Sequence, residues 1–94
     1  TGTPSMEPTI RGKVVLLVDV LCGIGGVRIG DIITYYPEFN QSMRYAHRVV
    51  GIDAHGLILA GDNNAESEAN HRVTEKNFHG KVVYIFQPKT PLYP

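Results

Sequence analysis

The chain has 94 residues, nine basic and nine acidic side chains, and 43% hydrophobic residues. That length fits one domain, residues 1–94, with a thin core, and the apolar content argues against disorder. Balanced charge leaves no basic stripe for nucleic acid, and no apolar run approaches the roughly 20 residues of a membrane-spanning helix.

The single Cys22 excludes an internal disulfide. The residues then read as short strands and turns. Lys13 to Val20, rich in Val and Leu, is predicted as a buried strand. Cys22 to Gly30 carries four glycines and reads as a loop. Asp31 to Tyr36 is a second strand, ended by Pro37, and Glu38 to Ser42 a polar turn. Met43 to Asp53 is a third strand. Its period of two places Tyr45, His47 and Val49 on one face and Ala46, Arg48 and Val50 on the other. Asp53-Ala54-His55-Gly56 reads as a hairpin turn into Leu57 to Ala60. Residues 61–71 are polar and irregular, Thr74 to Asn77 fits one helical turn, and Lys81 to Phe86 is a closing strand. Strands without helical crossovers predict a mainly β fold: a small, bent antiparallel sheet or partly open β-barrel.

Three polar clusters stand at the ends of these strands: Ser5-Met6-Glu7-Pro8-Thr9, Tyr45-Ala46-His47-Arg48, and Gly61-Asp62-Asn63-Asn64. A serine, a histidine and an acid in that order can supply a nucleophile, a base to take its proton, and a carboxylate to orient the base. Each cluster alone has a plainer reading. Ser5 can cap a turn, His47 can be a half-buried strand residue, and Gly-Asp-Asn-Asn is ordinary turn chemistry. Their joint occurrence in one small domain is what favours a site. His55, His71 and His79 fit no zinc spacing and read as solvated loop residues; no metal or organic cofactor is expected. Tyr35, Tyr36 and Tyr45 are either core aromatics or the lining of a peptide groove.

Taken in order, Ser-Met-Glu-Pro-Thr, Gly-Asp-Ile-Ile-Thr-Tyr, His-Arg-Val-Val-Gly and Gly-Asp-Asn-Asn resemble the signal peptidase I family over most of the chain. Gly80-Lys81-Val82-Val83 is similar to that family's closing strand. The resemblance implies a β-fold serine endopeptidase that cuts signal or leader peptides after small residues at a membrane surface. Most bacterial members carry lysine before the Arg-Val-Val stretch. His47 stands there, so the chain resembles the histidine branch, found in archaea and the endoplasmic reticulum. A lysine base needs desolvation to lower its pKa, whereas imidazole titrates near neutrality without it. By the same resemblance Ser5 is the nucleophile and His47 the general base, with Asp62 or Glu68 as the orienting acid. Glu68 occupies a position where the histidine branch typically has aspartate, and Lys13 one where the family often does. Met6, Tyr45 and Ala46 would shape a small substrate pocket.

The resemblance further implies membrane attachment through a segment absent from this chain, with the domain on the extracytoplasmic or lumenal side. Because Thr1 stands four residues before Ser5, an N-terminal truncation is expected. The enzymatic alternatives are a self-cleaving repressor-type peptidase, whose base is normally lysine, and a conjugative or phage processing peptidase. The non-enzymatic alternative is an inactive β domain that binds peptides or dimerises.

Overall fold

A computed structural model describes residue 6 and residues 14–37, 41–62 and 72–86. The described residues form six strands: β1 (Val15–Asp19), β2 (Ile32–Tyr35), β3 (Tyr45–Asp53), β4 (Gly56–Ala60), β5 (Arg72–Val73) and β6 (Phe78–Phe86). All pairings are antiparallel, in one sheet of order β1-β6-β2-β3-β4-β5. Helix is scarce among the described residues: Ile24–Gly26 forms one 3-10 turn, and Met6 also has 3-10 conformation. The fold is therefore mainly β, as expected, and takes the form of an open antiparallel sheet. Register shifts at Leu17/Val18, Thr34/Tyr35 and Val49/Gly51 interrupt the ladders. Such bulges bend a strand and sharpen its twist.

The β3–β4 hairpin forms where its turn residues predict it. Asp53 pairs with Gly56 across Ala54 and His55. The Asp53 carboxylate accepts the His55 backbone N–H at 2.8 Å, and Gly56 takes a φ of +132° that side chains rarely adopt. Arg72 of β5 reaches the same carboxylate at 3.1 Å. That guanidinium first, and the His55 N–H second, hold Asp53 below its ordinary pKa.

Strand β2 lies between β6 and β3 and is buried on both faces. Its composition, Ile-Ile-Thr-Tyr, accordingly lacks the apolar–polar alternation of a half-exposed strand. Ile33 and Tyr35 join Val27, Val49, Leu57, Leu59 and Val73 in one core cluster. Ile32 joins Met6 and Ala46 in a second, with Leu16, Val82 and Ile85 packed against it. The buried Thr34 hydroxyl lies 2.8 Å from His79 Nδ1 and 3.4 Å from the Gly80 carbonyl oxygen. Pairing its hydroxyl offsets the cost of burying a polar group.

Three assignments are corrected. Strand β1 is half-exposed rather than buried, with Val15, Leu17 and Asp19 exposed and Leu16 and Val18 half-buried. The last strand begins at Phe78 rather than Lys81, because β2 pairs Thr34 with Gly80 and Tyr35 with Phe78. His79 is consequently a half-buried strand residue, not a solvated loop residue. Strand β5, two residues long, had no counterpart in the sequence reading. The Thr74 to Asn77 segment closes as a turn, with Thr74 O accepting from the Asn77 and Phe78 N–H groups.

Candidate functional site

Strand β3 carries the candidate base. Its neighbours in register are Ile33 opposite His47, Thr34 opposite Ala46 and Ile32 opposite Arg48. Alternation along the strand sends His47 to the face of Ile33, Tyr35 and Val49. Ala46 and Arg48 point to the face of Ile32 and Met6. His47 is half-buried between two tyrosines. Its ring centroid lies 5.8 Å from that of Tyr35 and 6.5 Å from that of Tyr45. The Tyr35 hydroxyl lies 3.1 Å from His47 Nδ1. Tyr35 is a diagonal cross-strand neighbour of His47, within the reach of a long aromatic side chain.

Asp62 is found on the opposite face. Both of its carboxylate oxygens accept from Arg48, Oδ1 from Nε at 2.7 Å and Oδ2 from Nη2 at 2.8 Å. A fork-on-fork pair of this kind is directional as well as charge-assisted. The bond raises the Arg48 pKa above its ordinary value, against an opposing effect of burial. Arg48 Nη1 also donates to the Gly30 carbonyl at 2.6 Å. One guanidinium thus ties β3 to the turn before β2 and to the segment after β4.

Met6 is 1% exposed and Ala46 is 5% exposed, and both belong to the second core cluster. The Asp62 backbone N–H points to Met6 Sδ at 3.4 Å, a weak hydrogen bond. Met6, Ala46 and Asp62 therefore meet on the Arg48 face, while Tyr45 stands on the His47 face. The three residues expected to shape a pocket do not share one face of the sheet. An open cleft of about 390 Å³ also lies on the Arg48 side, between Gly30–Ile32 and Val82–Ile85. Ser5, Glu68 and His71 lie outside the described residues.

Two contacts were not read from the sequence. The Tyr35–His47 bond depends on β2–β3 register, which residue types alone do not fix. The Arg48–Asp62 pair was signalled only by opposite charges within β3 and just past the end of β4. Tyr35 itself is 2% exposed, so it is a core aromatic and not the wall of an open groove.

Comparison with known proteins returns no matching family model, no matching curated protein and no matching solved structure. The reading of the site accordingly rests on its residues. Among the described residues no three His, Cys, Asp or Glu side chains gather as a metal site, and no helix is long and apolar enough to cross a membrane.

Proposed function

We propose that the chain is the catalytic domain of a serine endopeptidase of the signal-peptidase kind, acting on signal or leader peptides after small residues. The observation that carries this reading is the seating of His47, half-buried on β3 with the Tyr35 hydroxyl 3.1 Å from its Nδ1. Met6, the chain neighbour of Ser5, packs with Ala46 of the same strand, on the face opposite the imidazole. A buried methionine contributes roughly 1.5–3 kcal/mol, enough to hold Met6 to the strand that bears the base.

In this mechanism Ser5 Oγ attacks the scissile carbonyl as His47 Nε2 takes its proton. The carbonyl π electrons move to oxygen. The His47 imidazolium then gives that proton to the leaving amine, and an acyl-enzyme remains on Ser5. Water, deprotonated by His47, releases the acid. Asp62, engaged by Arg48, ties the segment after β4 to β3, and Glu68 is the other carboxylate that the sequence offers for orienting the base. The substrate binds as an added strand, at a membrane to which a segment outside this chain attaches the domain.

A serine-directed covalent probe and a leader-type peptide with alanine at the cut bond test the reading together. The expected result is label on the peptide containing Ser5 and cleavage after alanine, both lost in Ser5→Ala and in His47→Ala. Turnover persisting in Ser5→Ala, in protein free of contaminating protease, overturns it.

A further inference from the structure

We infer that Tyr35 is the positioning residue that sets the tautomer and angle of His47, the part otherwise given to a carboxylate. This rests on the reading of His47 as general base. For Nε2 to receive the Ser5 proton, the neutral ring must carry its hydrogen on Nδ1. An Nδ1–H turned into protein needs an acceptor. The Tyr35 oxygen lies 3.1 Å from Nδ1, within reach to accept that hydrogen.

Tyr35 is built to hold that position. It sits in β2, buried on both faces, and is 2% exposed. Its ring meets Tyr45 edge to face, with centroids 6.0 Å apart and planes at 87°. The antiparallel register that pairs Ile33 with His47 and Tyr35 with Tyr45 fixes the diagonal reach of its hydroxyl. Asp62 faces Arg48 on the other side of the sheet.

The proton count closes without ionising the phenol. Ser5 Oγ–H breaks and His47 Nε2–H forms. The Nδ1–H stays on nitrogen and donates to the Tyr35 oxygen throughout, and the Tyr35 O–H keeps its own hydrogen to donate elsewhere. A neutral phenol stabilises the imidazolium less than a carboxylate does. Its loss should therefore cost about ten-fold in kcat, from the difference between charged and neutral hydrogen bonds. Loss of an orienting carboxylate costs about 10²–10⁴-fold.

The test is imidazole nitrogen-15 NMR on the full chain above the titration of its histidines, with kinetics on Tyr35→Phe and Glu68→Gln. The expected result is His47 as the Nδ1–H tautomer in the wild type and in Glu68→Gln. In Tyr35→Phe, His47 should revert toward the Nε2–H form, with kcat down about ten-fold and KM unchanged. The wild-type spectrum needs no variant, so a folding defect in Tyr35→Phe does not blunt it. His47 as Nε2–H in the wild type overturns the inference. So does an Nδ1–H form, or a kcat, that survives Tyr35→Phe. So does a tautomer lost in Glu68→Gln and kept in Tyr35→Phe, which assigns the role to the carboxylate. Failure of the wild type to cleave peptide or to label at Ser5 overturns the protease reading instead, whatever the tautomer.

Discussion

Arg48→Ala should be among the most damaging single changes at a partly exposed position of this chain. The side chain makes two charged hydrogen bonds to Asp62, at 2.7 and 2.8 Å, and one to the Gly30 carbonyl at 2.6 Å. Fully exposed ion pairs contribute roughly 0.2–1 kcal/mol, and hydrogen bonds to charged groups about 1.5–3. With side chains 32% and 17% exposed, the pair falls between these limits. Discounted for solvent screening, its coupling should be about 1–2 kcal/mol. Loss of the Gly30 tie adds about 1 kcal/mol, so Arg48→Ala should cost about 2–3 kcal/mol. For a domain of this size that lowers Tm by about 10–20 °C. Asp62→Ala, which leaves Arg48 able to meet water, should cost about 1–2 kcal/mol. The assay is urea unfolding of both single variants and the double, read as a double-mutant cycle. Activity of Asp62→Ala, measured well below its Tm, should fall by less than about ten-fold, against about 10²–10⁴-fold for an orienting carboxylate. A coupling energy under about 0.3 kcal/mol would falsify the bracing role.

Burial first, and the Arg44 charge second, lower the pKa of His79 from 6.5. A base depressed in the folded state is neutral in both states at high pH, so its stabilisation is complete above 6.5. Below that, the unfolded chain takes the proton first, and stability is lost as pH falls toward the folded value. Melts between pH 7.5 and 5 should show Tm falling, with a shallower fall in His79→Gln; equal slopes would remove His79 as the cause. Gly56→Ala should cost about 2–4 kcal/mol in urea unfolding, because a Cβ there would meet the Val73 carbonyl at a φ of +132°. Gly30→Ala, at φ +100° with open space around it, should cost about 1 kcal/mol; similar losses at the two sites would refute the clash. In a peptide series with Ala, Val or Leu at the cut bond, only Ala should be processed well, and Leu cleaved equally would sink the small-pocket proposal.

The legible part of this fold is local. Runs of Val, Ile and Tyr marked β1 to β4, and Asp53 to Gly56 marked its hairpin. The alternation along β3 put Val49 and Ala46 into different clusters, as the structure does. What the residues could not show is which strands become neighbours. Residue types alone open the last strand at Lys81, because Phe78-His79-Gly80 lacks a β-rich pattern. Pairing with β2 extends it, and Gly80 fits there because a Cβ would meet Val18 at 2.5 Å. The Tyr35–His47 and Arg48–Asp62 pairs depend on the same long-range information. Of the proposed site, Ser5 and Glu68 fall outside the described residues, so sequence remains their only witness.

The place of β6 between β1 and β2 has a consequence for how the molecule is made. The β2–β3–β4 meander joins segments that follow one another and can zip early, because its loops are short to close. Among the described residues strand β1 pairs only with β6, in a register that joins Val15 to Phe86. During synthesis the first strand must therefore wait, apolar and unpaired, until nearly the last described residue has emerged. Ribosome-bound chains halted before Phe78 should hold the β2–β3–β4 meander but not the six-stranded sheet. The interval before β6 arrives is when this chain is most exposed to mispairing with its neighbours.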